Sequence, residues 1–86
     1  VWAHQQYGVD PDMMTLAKPL AAGLPIGAVM MRESIHSYIK PGDHGSTFAG
    51  GPFVTGVAET AFSILSSPEL LQNVQERALQ FKQGLQ

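Results

Sequence analysis

Cysteine is absent from the chain. Neither a disulfide framework nor a thiolate metal site can therefore be built from it. Basic residues are few: five Lys and Arg against seven Asp and Glu, giving a formal net charge of −2. They are scattered, so the basic stripe that nucleic acid needs is missing. Long apolar runs are missing too. The longest are broken by Lys18 or by Gly and Pro, and none reaches the length of a membrane span. Residues 1–12 have no basic stretch leading into an apolar one, so no secretory signal is expected there. The chain opens on Val1 rather than Met and stops at Gln86 within a helical pattern. We read residues 1–86 as one partial domain of a larger protein. Alone, so short a chain is expected to fold marginally and to be inactive.

Apolar residues make up 44% of the chain, which is ordinary for a globular protein. The most informative stretch is residues 12–27, DMMTLAKPLAAGLPIG. Lys18 is set among Leu16, Ala17, Pro19, Leu20, Ala21 and Ala22, and no carboxylate lies between Asp12 and Glu33. Two readings of the residues stand. The stem of Lys18 can lie on apolar surface while its amine reaches water. Alternatively, desolvation favours the neutral amine, a nucleophile towards carbonyls.

The rest of the chain gives a short-strand, long-helix pattern. Residues 1–8 predict a short helix or turn ended by Gly8, with Trp2 and Tyr7 as packing residues and a structural or exposed His4. Residues 13–17 read as a short buried strand that delivers Lys18 at its end. Ligands of open α/β sheets bind outside such strand ends. Residues 19–27 carry Pro19, Gly23, Pro25 and Gly27, too dense for regular structure. Residues 26–31 read as a second strand, and residues 33–39 as a short helix.

Residues 41–52, PGDHGSTFAGGP, form the second informative stretch. Its glycines let the backbone approach a ligand closely. Ser46 and Thr47 offer hydroxyls, and Pro52 suits the first turn of a helix. Free N–H groups there favour an anion such as phosphate, although a glycine-rich turn can also be only a turn. Residues 53–66 repeat apolar positions at helical spacing. Ser66 or Ser67 can cap a further helix whose stripe is Leu71, Val74, Ala78, Phe81 and Leu85.

TLAKPLAAGLPIGAVM followed by GDHGSTFAGGP resembles the cofactor-lysine region of class III aminotransferases, most of all the members that act on N-acetylornithine. The resemblance covers nearly the whole chain and rests on two motifs at the right spacing. It implies an α/β fragment of the large, cofactor-binding domain of a fold type I pyridoxal-phosphate transferase, running towards the small C-terminal domain. It implies transamination from N-acetylornithine to 2-oxoglutarate through pyridoxal 5'-phosphate, in arginine biosynthesis. Members acting on ornithine or 4-aminobutyrate compete, as does an inactive fragment. By the same resemblance Lys18 is the catalytic lysine that carries the cofactor as a Schiff base. Thr47 binds the cofactor phosphate of the neighbouring subunit in a homodimer, and Ser46 lies at the substrate. A soluble protein is implied, cytoplasmic in bacteria and mitochondrial or plastidial in eukaryotes. One departure is visible: many members read G-G-N-P where this chain has Ala49-Gly50-Gly51-Pro52.

Overall fold

The computed structural model describes residues 1–85. Its elements, in order, are α1 (Ala3–Gln6), β1 (Met13–Leu16), a 3-10 turn (Lys18–Ala21), β2 (Ala28–Met31), α2 (Glu33–His36), α3 (Pro52–Leu65) and α4 (Pro68–Gly84). Mixed helix and strand are present, as expected. The sheet is a single antiparallel pair in which Met13 faces Met31 and Leu16 faces Ala28. Burial along β1 alternates between exposed and half-buried. The expectation of a buried strand was therefore too strong: only one face of the pair meets the rest of the chain.

α1 is short and is tied at both ends. The Trp2 amide donates to Gln5 Oε1 at 3.0 Å, and Gly8 leaves the helix at φ +63°, a conformation that glycine adopts without penalty. His4 is structural: its Nδ1 lies 2.8 Å from the Val9 carbonyl oxygen. Trp2 packs as expected, stacked on Phe62 at 5.6 Å between ring centres. Tyr7 does not; it is 79% exposed.

Residues 19–27 are less irregular than their Pro and Gly content predicts. Pro19 presets its own φ and is the second residue of the 3-10 turn. That turn packs on α3. The three buried residues are all alanines, Ala21 in the turn and Ala58 and Ala61 in the helix. Small side chains let the two backbones come close. α2 is shorter than predicted, ending at His36. Pro52 begins α3, and Ser67 caps α4 by accepting from the Leu70 amide at 3.3 Å.

The piece is open. Its accessible surface is 7335 Å² for 9.2 kDa, whereas a folded monomer of that mass exposes about 4,900 Å². Its radius of gyration is 16.5 Å, against about 12 Å for a compact domain of this length. Phe48, Phe53, Phe81 and Leu85 are each at least 70% exposed. The apolar stripe of α4 has little to pack against beyond Leu71, which is half-buried.

Candidate active site

Lys18 stands just beyond β1, two residues past its last residue, Leu16. Its backbone is left-handed, at φ +56°. For a residue with a Cβ this conformation costs of order 1–3 kcal/mol and persists only where its surroundings impose it. Ala22, at the other end of the turn, is also left-handed at φ +52°. The turn is closed by the Ala22 amide on the Pro19 carbonyl at 3.0 Å and the Leu24 amide on the Ala21 carbonyl at 3.0 Å. Ala21 is thereby driven onto α3, and Leu20 is half-buried.

The apolar neighbours of Lys18 therefore do not enclose it. Lys18 is exposed, and among the described residues its amine makes no ion pair or side-chain hydrogen bond. Of the two readings of this residue, the structure fits the one in which the amine reaches water. The reversal at φ +56° sends Leu20 and Ala21 inward and leaves Lys18 outside. Exposure leaves the Lys18 amine open to approach by a carbonyl compound, whereas the activation such a lysine needs comes from a desolvated or cationic setting.

The second stretch folds over the loop that follows the Lys18 turn. Pro25, Ile26 and Gly27 line one side of a cleft of about 430 Å³; Ser46, Phe48, Ala49, Gly50, Gly51, Val54 and Thr55 line the other. Gly50, at φ +67°, turns the chain into α3. Gly51 is the N-cap and offers no side chain. Pro52 has no amide hydrogen, and the Phe53 and Val54 amides find no backbone acceptor among the described residues. Thr55 Oγ1 donates to the Gly51 carbonyl at 3.0 Å. Donors without acceptors at the positive end of a helix fit an anionic group such as a phosphate.

Ser46 thus joins the cleft, whereas Lys18 and Thr47 do not line it. Thr47 is exposed and makes no capping bond to α3. The cap of α3 is Gly51, not Thr47.

Sequence reasoning missed two features. Arg32 Nη2 meets Asp10 Oδ2 at 2.5 Å, and Arg32 Nε meets Asp12 Oδ1 at 3.1 Å. Pairing the two strands as a hairpin would have found the second of these, because Asp12 and Arg32 fall opposite each other once Met13 faces Met31. The other is Ala21, an alanine among alanines, with no signal in its residue type.

The exposed amine at the strand end and the anion-suited start of α3 are thus two separate features, and Lys18 does not line the cleft at the second. The match to known proteins is more particular. The model of the family "Aminotransferase class-III" matches residues 1–86, and the chain belongs to that family. It is 52% identical over 85 residues to the mitochondrial acetylornithine aminotransferase of Alnus glutinosa, covering 99% of this chain and 19% of that protein. It is 46% identical over 77 residues to the succinylornithine transaminase of Photorhabdus laumondii, covering 90% of this chain and 19% of the relative. Against the acetylornithine aminotransferase of Thermosynechococcus vestitus the identity is 44% over 86 residues, with 100% and 21% covered. The chain spans about a fifth of the length of these relatives. No helix among the described residues is long and apolar enough to cross a membrane.

Proposed function

We propose that this chain is the cofactor-lysine segment of an acetylornithine-type aminotransferase, part of its large domain. The observation that carries the reading is Lys18: an exposed amine on a left-handed backbone at the end of β1, within a family-wide match. The names of the relatives support N-acetylornithine as amino donor. The succinylornithine transaminase match keeps the acylated ornithines together as a substrate class. A 2-oxo acid takes up the amino group. The mitochondrial location in the name of the Alnus relative supports an organellar setting if the source is eukaryotic. The segment by itself is proposed to be inactive.

The cofactor implied is pyridoxal 5'-phosphate, which when bound supplies an electron sink at the substrate carbon. Lys18 Nζ holds it between turnovers. When free, the same Nζ would act as general base, taking a proton from the substrate carbon and returning it. The turn on α3 keeps that nitrogen at the strand end. The Thr47 hydroxyl donates to the cofactor phosphate of the neighbouring subunit in a homodimer. This is consistent with its position outside the cleft that Ser46 lines. Ser46 faces the substrate.

The test is reductive trapping. The full-length holoprotein is treated with borohydride and digested, and the modified peptide is identified. The label is expected on Lys18; a label on Lys40 or Lys82 overturns the assignment.

A further inference from the structure

We propose that Ala21 is a positioning residue for Lys18, acting through the turn that joins them; the inference rests on the reading of Lys18 given above. No partner fixes the Lys18 side chain among the described residues, so what the fold sets is the direction in which that side chain leaves the backbone. That backbone is left-handed at φ +56°, and the matching left-handed residue Ala22 closes the same turn at φ +52°. Two such residues flank Pro19, Leu20 and Ala21. Strained conformations of this kind persist only where packing imposes them. Ala21 supplies that packing. It is the one residue with no exposed surface (0%), and the other buried residues, Ala58 and Ala61, are on the helix that the turn packs against.

The geometry also explains why the residue is alanine. A larger side chain at position 21 would meet α3 and lift the turn. Glycine would leave the turn without its anchor and free to relax from the left-handed state. Either change moves Lys18 Nζ without touching it. A displacement of about 1 Å at a reacting group can cost about a hundredfold in rate.

The experiment uses the full-length protein with Ala21→Val, Ala21→Gly, and Ala21→Val combined with Ala61→Gly, which returns volume on the α3 side. Thermal melts first identify the folded variants. Three quantities are then read: the rate at which added pyridoxal phosphate becomes attached to Lys18 in the apoprotein, followed by absorbance; the pH midpoint of the bound cofactor's absorbance; and kcat and KM separately. Ala21→Val is expected to slow attachment and to lower kcat by about ten- to a hundredfold, to move the pH midpoint, and to leave KM within about twofold. Adding Ala61→Gly is expected to restore a large part of the loss, the sign of direct coupling between the two positions. If Ala21→Val does not fold, Ala21→Gly carries the test with a smaller loss of the same pattern. A folded Ala21→Val or Ala21→Gly protein with unmodified attachment rate, pH midpoint and kcat overturns the proposal, even if its melting temperature falls. Reductive trapping separates the two levels. A label away from Lys18 in the unmodified protein removes the Lys18 reading and this proposal with it. A label on Lys18 together with indifferent Ala21 variants removes this proposal alone.

Discussion

The Lys18 turn and the loop carrying Ser46 and Thr47 are both rich in glycine and proline, yet they are held in different ways. The first is closed by its own backbone bonds and anchored by Ala21 on α3. The second is exposed at every residue from 40 to 50. Its internal ties are few and lie on the surface, such as the Lys40 amide on Asp43 Oδ2 at 2.7 Å and the Ala49 amide on the Ser46 carbonyl at 3.3 Å. Phe48 within it is 90% exposed, and a phenylalanine left in water forgoes about 1.5–3 kcal/mol of burial. The difference teaches where each motif gets its geometry. The lysine is placed by this segment. The hydroxyl loop has few contacts within the segment to fix its surroundings.

The largest expected effect is on the anchored side. In the full-length protein, Lys18→Ala is expected to abolish turnover. Loss of the general base alone costs about 10²- to 10⁴-fold, and the covalent hold on the cofactor goes with it. Steady-state assay of a protein with an unchanged melting curve measures this. Turnover within tenfold of the unmodified protein would place the chemistry elsewhere.

On the exposed side the expected effect is smaller and crosses between subunits. In the role proposed for Thr47, Thr47→Ala would remove a donor to a charged phosphate, worth roughly 1.5–3 kcal/mol, or about ten- to a hundredfold in cofactor affinity. Thr47→Ser keeps the hydroxyl and is expected to keep most of that affinity. Mixing Lys18→Ala protomers with Thr47→Ala protomers sharpens the comparison. If Thr47 serves the neighbour, each heterodimer has one intact site and one site with both lesions. If it serves its own subunit, every site carries one lesion. Restored cofactor affinity and turnover in verified heterodimers are expected; their absence rejects the cross-subunit role.

The same contrast marks what could be read before the fold was known. The helices were legible because Val54, Val57, Ala58 and Ala61 repeat at helical spacing, and Ser67-Pro68-Glu69 marks a helix start; α3 and α4 follow. Lys18 stood out by its motif, and its exposure was one of two readings that the sequence left open. A run of apolar neighbours gives no sign of which way a left-handed turn will face them. The 3-10 turn was hidden for a related reason: Pro19 and Gly23 signal a break, whereas packing on α3 decides that the break is ordered. Ala21 and the Arg32 pairs depend on contacts between residues far apart in the chain. Only strand register or tertiary packing brings such contacts into view.

A third change tests the helix whose stripe is left open. Ser67 is the side-chain cap of α4, and Ser67→Ala is expected to cost about 1 kcal/mol, with Ser67→Asp retaining the cap. Amide exchange at residues 69–71 of the full-length protein measures the loss locally. Unchanged protection there would mean that chain outside this segment, rather than Ser67, holds the start of α4.

The smallest effect is expected at the far end of the hairpin. Arg32 joins Asp10 and Asp12 there, roughly 13 Å from the Lys18 end at about 3.4 Å per residue of strand. The three side chains are 46%, 86% and 78% exposed, so water screens the pairs and leaves the freed carboxylates well hydrated. Arg32→Gln is therefore expected to lower stability by less than about 1 kcal/mol. The difference from the unmodified protein should shrink in about 1 M salt, where the screening length is about 3 Å. Turnover is expected to stay at the unmodified rate, because the Lys18 turn is set by α3 rather than by the strands' opposite end. Denaturant midpoints at low and high salt measure the first claim, and kcat measures the second. A fall in kcat as large as that of the Ala21 variants, in a protein that remains folded, would show that strand register places Lys18 after all and would break the contrast between an anchored turn and its surroundings.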